Sequence, residues 1–112
     1  MMTEKGQLPV GVEFEGKRYR DFELRPQIVS DSVDALEDER AARNESYLGI
    51  CVLAKQIVRL GDIPKAKITA ALLMGMYAED LAAISAANGR LAARMARFHG
   101  EGKAADEGNA GA

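Results

Sequence analysis

Near the start of the chain, residues 10–14 alternate apolar and polar positions with the two-residue period of a β-strand. Apolar side chains occupy every second position at Val10, Val12 and Phe14. Glu15-Gly16-Lys17 then supplies turn-forming residues, and a second strand-like run ends at Pro26. We therefore predict a β-hairpin over residues 10–25, preceded by a polar, flexible N-terminus over residues 1–8. An isolated hairpin is marginally stable in water, so its apolar face should lie on the helices or on another chain.

Beyond the hairpin the apolar spacing becomes helical, and every alanine of the chain lies in this part. We predict helices over about residues 32–43, 45–60, 64–74 and 77–98, followed by a disordered tail over residues 100–112. The first helix has few large apolar residues, chiefly Val33 and Leu36, so only a narrow stripe of it can be buried. The second is apolar nearly all round, as is typical of a central helix, and leaves a solvent strip at Lys55, Gln56 and Arg59.

The last predicted helix carries a seam of residues spaced alternately three and four apart, the spacing of a coiled coil. Its members are Met74, Tyr77, Leu81, Ile84, Asn88, Leu91, Met95 and Phe98. The seam packs either against the helix over residues 45–60 of the same chain or also against a helix from a partner. In the second case Asn88 helps to set the register, and the flexible methionines allow the surface to adjust.

These elements predict an α+β fold, mostly α, with an N-terminal hairpin, about four helices and a single domain over residues 9–99. A chain of 112 residues has room for one modest core. Its polar N-terminus lacks an export signal, and no apolar stretch is long enough to span a membrane. We therefore expect a cytoplasmic protein that does not bind membranes. The lone Cys51, placed within an apolar run, suits a reducing compartment.

Residues that commonly carry catalysis are scarce in this chain. It contains one His, one Cys and no Trp, which argues against a His-based metal site, a disulfide framework and most Cys/His relays. The single histidine, His99, stands at the end of the last predicted helix. The carboxylates between Asp31 and Glu39 are more typical of a solvated surface than of an acid/base pair. We therefore expect no enzyme, no metal and no cofactor.

Two groups of basic residues make a small nucleic-acid-binding regulator the alternative function. They are Arg90, Arg94 and Arg97 on the last helix, and Lys17, Arg18, Arg20 and Arg25 in the hairpin. The net charge of -2 means that any such binding would need a local patch. Both groups also have structural explanations, because bases stabilise helix C-termini and charged side chains protect strand edges. We therefore do not expect a nucleic acid partner.

The order of the segments resembles a known family. The run VEFEGKRYRDFELRP over residues 12–26, followed by Asp31 early in a helix, is similar to the phage tail assembly chaperone family of Mu-like and related contractile-tailed phages. The run LAKQIVRLGDIP over residues 53–64, with later matches at Ile68, Leu72, Asp80-Leu81 and Phe98, resembles the rest of that domain. The resemblance covers about residues 8–99.

The resemblance implies an assembly factor rather than an enzyme. Members of the family are taken to coat the apolar, helical tape measure protein in the infected cell and to keep it soluble until the tail tube forms. Such a protein is not expected in the mature virion, whereas a structural tail subunit, a third hypothesis, would remain there. We hypothesise that the client packs against the seam at Tyr77, Leu81, Ile84, Asn88, Leu91 and Met95. The hairpin face is then available for self-association, and a homo-oligomer remains an open alternative.

Overall fold

A computed structural model describes the backbone of residues 2–110 and the side chains of residues 2–97. The elements are β1 (Glu4–Phe14), β2 (Lys17–Leu24), α1 (Val29–Ala35), α2 (Glu39–Arg43), α3 (Glu45–Gln56), β3 (Ile57–Leu60), α4 (Ala70–Met74) and α5 (Ala78–Ala110). A short 3-10 turn, Lys65–Lys67, precedes α4. The strands form one antiparallel sheet in the order β1-β2-β3, so the predicted α+β class is confirmed.

The predicted hairpin is present and longer than expected. Glu15 and Gly16 form its turn with φ of 50° and 79°, the positive values of the tight turn that matches strand twist. β1 begins at Glu4, which pairs with Leu24 at the far end of β2. Residues 4–8 therefore belong to the sheet, in place of the flexible N-terminus that we predicted over residues 1–8.

A wide bulge interrupts β1, because the register with β2 shifts between Gln7 and Val12. The bulged segment turns Leu8 into the core, where its side chain is fully buried. The amides of Val10 and Gly11 donate to the Asp80 carboxylate of α5 at 2.8 and 3.0 Å. Asp80 is itself fully buried. Its carboxylate supplies the hydrogen-bond acceptors that β2 does not provide to this segment.

The helix predicted over residues 45–60 ends at Gln56, and its last turn is replaced by β3. Ile57 and Leu60 are fully buried, and β3 pairs antiparallel with the free edge of β2. An apolar run of this length is compatible with a helix or a strand. Here the free edge of β2 favours the strand. The hairpin is thus a three-stranded sheet.

Two residues stabilise the chain on either side of β3. The Lys65 ammonium donates to the carbonyls of Ala54 at 3.1 Å, of Lys55 at 3.2 Å and of Ile57, which satisfies groups at the C-terminus of α3. Burial, together with the nearby positive charges, lowers the pKa of Lys65. Gly61 has a φ of +53°, and a Cβ there would lie 2.3 Å from the Tyr19 ring, so only glycine fits.

The helix predicted over residues 32–43 is divided into α1 and α2. Asp38 causes the division, because its carboxylate accepts from the amides of Arg40 at 2.8 Å and Ala41 at 3.4 Å and thereby caps α2. The helix predicted over residues 64–74 is reduced to the 3-10 turn and α4, which the Thr69 hydroxyl caps through the Leu72 amide at 3.2 Å.

α5 continues without a break past Asn88-Gly89, and its backbone is helical to Ala110, beyond the end that we predicted near Phe98. The tail over residues 100–112, which we predicted to be disordered, therefore has a helical backbone through Ala110, while the side chains of residues 98–112 lie outside the described part of the chain. Within that part, no helix combines the length and the apolar character needed to cross a membrane.

The main core lies between the sheet and α5. It joins sheet and helix residues that are almost fully buried, among them Leu8, Val12, Phe22, Leu24, Ile57, Leu60, Ile84, Ala87 and Leu91. α5 therefore packs across β1, and the expectation that it lies along the helix over residues 45–60 is wrong. α5 also covers the apolar face of the hairpin, which is the first of the two predicted alternatives for that face. A smaller cluster beneath α1 and α2 contains Cys51, which is buried as predicted.

Candidate functional site

The predicted seam of α5 is divided between two surfaces. Ile84 and Leu91 are 0% and 1% exposed and belong to the core under the sheet. Leu81, Asn88 and Met95, each seven residues from the next, instead line a groove on the neighbouring face of α5. One set of seam positions therefore packs within the chain, against the sheet rather than against the helix over residues 45–60, and the other set stays accessible.

We call this surface the α5 groove. It consists of two adjoining depressions of about 470 and 280 Å³ that share Gln27 and Asn88. On the α5 side the lining residues are Leu81, Ser85, Asn88, Leu91, Ala92 and Met95. From Leu81 to Met95 the groove follows α5 for about 21 Å at 1.5 Å per residue. This length matches a helical segment of about four turns.

The opposite wall is formed by α3. Leu48, Ile50, Val52 and Leu53 supply apolar surface, while Ser46 and Gly49 are small and allow close approach of a second helix. Glu45, at the first turn of α3, is the one charged residue among those that line the groove. The surface therefore combines apolar and uncharged polar side chains and is nearly neutral, which favours a protein segment over a phosphate backbone.

A buried amide bridge crosses the floor of the groove. The Gln56 side-chain amide donates to Asn88 Oδ1 at 2.9 Å and to the carbonyl of Arg25 at 3.1 Å. Gln56 is 1% exposed, so the prediction that it belongs to a solvent strip is wrong. Its burial was missed because its partners lie far away in sequence. The bridge holds the end of α3 against α5 and fixes the width of the groove at that point.

An ion pair anchors the chain beside the groove. The Arg25 guanidinium donates to both carboxylate oxygens of Asp31, at 2.8 and 2.9 Å. It also donates to the carbonyl of Lys55 at 3.0 Å, while Asp31 accepts from the Ile28 amide at 2.9 Å. These hydrogen bonds from Arg25 lower the pKa of Asp31. The pair connects β2, α1 and the end of α3, and so positions Pro26 and Gln27 at the margin of the groove.

Tyr77 does not belong to the α5 groove. It precedes α5, is 63% exposed, and lines a separate depression with Met76 and the bulge residue Gly11. Of the predicted partner-binding residues, Leu81, Asn88 and Met95 thus share one surface, Ile84 lies in the core, and Tyr77 lies elsewhere. Leu91 is almost fully buried and contributes only the base of the shallower depression.

Most of the arginines of the alternative function make contacts within the chain. Arg90 and Arg94 both pair with Glu4, at 2.7 and 2.8 Å, and hold β1 against α5. These hydrogen bonds lower the pKa of Glu4. In the hairpin, Arg18 pairs with Glu13 at 2.9 Å, and Arg20 donates to the carbonyl of Leu8 at 2.8 Å. The structure thus favours stabilising roles for these side chains.

Over the described residues, no group of three or more His, Cys, Asp and Glu side chains is placed to hold a metal ion. No family model, curated protein or solved structure matches the chain. The α5 groove, with its apolar walls and amide bridge, is the best-formed binding surface that contains residues of the predicted seam.

Proposed function

We propose that this protein is a phage or prophage tail assembly chaperone that binds helical segments of the tape measure protein and keeps them soluble in the host cytoplasm. It acts by holding its client and catalyses no reaction. The observation that carries the proposal is the α5 groove, an open and nearly neutral groove between α3 and α5 whose length matches about four turns of a helix. The sequence resemblance over residues 8–99 implies that the client is the tape measure protein.

The groove suits a client that must later be released. Its apolar walls bury client side chains without sequence-specific polar contacts, while Met95 adapts its shape to different segments. The Gln56–Asn88 bridge is polar, so a fully apolar client forms no new hydrogen bond with it and gains little affinity at that point. We therefore expect binding that is strong enough to keep the client soluble and weak enough for tail tube subunits to displace it.

We place the client on Leu81, Asn88 and Met95 together with the α3 wall, because these residues line one groove. A charge placed at Ile84 is not a usable test, since this side chain is fully buried and its replacement would unfold the domain. Gly49 is the better position. It lines the groove, and a Cβ there meets nothing within 4 Å.

Gly49→Arg is expected to abolish client binding without loss of stability. The new side chain projects from the α3 wall and occupies the groove, whereas replacing glycine within a helix favours the fold by up to about 1 kcal/mol. The measurement is co-purification of tape measure fragments co-expressed with the tagged full chain, together with the fraction of each fragment that stays soluble. Recovery of fragments is expected to fall at least about tenfold, the equivalent of 1.4 kcal/mol.

The matched control is Gly89→Arg. Gly89 lies in α5 next to Asn88, is exposed, and has the same open space around its Cβ, but it does not line the groove. It should co-purify with client like the wild-type chain. If Gly49→Arg is folded by circular dichroism and retains wild-type recovery, the groove is not the client site. If the wild-type chain recovers no tape measure fragment but shifts nucleic acid in a salt-dependent manner, the chaperone proposal itself fails.

A further inference from the structure

α1 carries its larger apolar side chains on its outer face. Val29 is 81% exposed and Val33 58%, and Leu36, the residue that follows the last turn of α1, is 49% exposed. The inner face is formed by Asp31 and Ala35, each 3% exposed. An ordinary surface helix buries its apolar stripe and exposes its polar residues, so α1 is inverted relative to the core of its own chain. The expectation that Val33 and Leu36 form the buried stripe is therefore wrong.

Hydrogen bonds to a charged group fix this orientation. Asp31 accepts two hydrogen bonds from Arg25 and one from the Ile28 amide, all between 2.8 and 2.9 Å. Rotation of α1 toward the core would break this buried ion pair, which costs far more than burial of one valine returns. The outer face of α1 is consequently a preformed surface that stays exposed in the free chain.

The surface has an acidic border. Asp34, Glu37, Asp38 and Glu39 are all exposed, and none of residues 26–39 is basic, while Lys55 and Lys65 share a depression with Asp34 and Asp38. The next base along the chain, Arg40, lies over the Tyr47 ring at 4.4 Å. A second copy docked through the same face would bring like charges together. Nucleic acid and anionic lipid are disfavoured for the same reason, whereas a basic partner is attracted.

The apolar stripe has the geometry of a helix seam. Val29, Val33 and Leu36 follow at spacings of four and three, as the contact positions of paired helices do. They extend along α1 for about 10 Å, or two helical turns. In paired helices, charges beside such a seam select the partner by complementarity.

We propose that the outer face of α1 docks an amphipathic helix of a partner protein that carries Lys or Arg beside its apolar stripe. Val29, Val33 and Leu36 make the apolar contact, and Asp34 and Glu37 select the basic partner. Val29, Val33 and Leu36 do not line the α5 groove, although Ser32 of the same helix does, so the two surfaces are neighbours. The inference does not depend on the identity of the client held in the groove.

The test compares two synthetic helical peptides of about 18 residues, long enough to form helix, with one leucine stripe and either Lys or Glu beside it. Fluorescence anisotropy with the full chain measures their affinities at low and high salt. The Lys peptide is expected to bind about tenfold more tightly than the Glu peptide at low salt, and this advantage should shrink as salt screens the rim charges. The double variants Val29→Ser/Val33→Ser and Asp34→Asn/Glu37→Gln should each remove the advantage.

Matched changes elsewhere control for general loss of apolar area or charge. Val58→Ser changes an exposed valine of β3, and Asp62→Asn changes an exposed acid beyond it. Both should bind the Lys peptide like the wild-type chain, as should Gly49→Arg with its blocked groove. Equal affinity for the two peptides overturns the inference, as does loss of binding in Gly49→Arg. It is also overturned if the wild-type chain is a dimer that Val33→Ser converts to a monomer.

Discussion

Arg25→Met is expected to lower the free energy of unfolding by about 3–5 kcal/mol, because it leaves the buried Asp31 carboxylate without its charged partner. The methionine side chain keeps much of the apolar volume but donates no hydrogen bond. It also removes the hydrogen bond to the Lys55 carbonyl, which joins α1 to α3. For a domain with a total stability of about 5–15 kcal/mol, such a loss is a large fraction. Urea denaturation followed by circular dichroism measures it.

The control for this change is Arg18→Met, which breaks an ion pair of similar length in an exposed place. The Arg18–Glu13 distance is 2.9 Å, but the two side chains are 49% and 71% exposed. Exposed pairs contribute about 0–1 kcal/mol, so this variant should be nearly as stable as the wild-type chain. Equal losses for the two arginines would show that burial of the Arg25–Asp31 pair has no energetic consequence.

The same ion pair predicts how stability depends on pH. Hydrogen bonds from Arg25 lower the pKa of Asp31 in the folded state, so its contribution is present above the unfolded value of about 3.9 and is lost as pH falls through the folded pKa. The wild-type chain should therefore lose more stability between pH 5 and pH 3 than Asp31→Asn, which has no carboxyl group to protonate there. Urea midpoints over this interval test the difference. Parallel pH profiles for the two proteins would contradict it.

Asp80→Ala is the other change with a large expected effect, a loss of about 2–5 kcal/mol from one buried and one partly buried amide that no longer have an acceptor. These amides belong to Val10 and Gly11 in the β1 bulge, and they donate to Asp80 at 2.8 and 3.0 Å. Because β2 does not pair with this segment, the bulge should open first. Hydrogen exchange of the two amides should accelerate in the variant, and the urea midpoint should fall.

Glu79→Ala is the matched control for Asp80→Ala. Both residues are acids in the first turn of α5, so both interact with the helix dipole, but Glu79 is exposed. The control should lose less than about 1 kcal/mol. The account of the bulge is refuted if the two variants are equally stable, or if the Val10 and Gly11 amides exchange at wild-type rates in Asp80→Ala.

Half of the candidate site could be predicted from the seam of α5. The spacing correctly brought Leu81, Asn88 and Met95 to one side of a helix. The spacing did not separate these three residues from Ile84 and Leu91. A heptad pattern indicates which positions make contacts, but it does not indicate which element they contact. The α3 wall and the buried Gln56 were missed, because the partners of Gln56 are Arg25 and Asn88, each about thirty positions away.

The sequence by itself determined the features that depend on neighbouring residues. The hairpin and its turn, the apolar α3, the long α5 and the burial of Cys51 all follow from local period and turn chemistry. Only the tertiary structure decided which apolar surfaces are covered. Ile57 joins the sheet because β2 offers an edge, and Val33 faces outward because Arg25 holds Asp31 inward. These outcomes depend on contacts between segments that the local pattern does not specify.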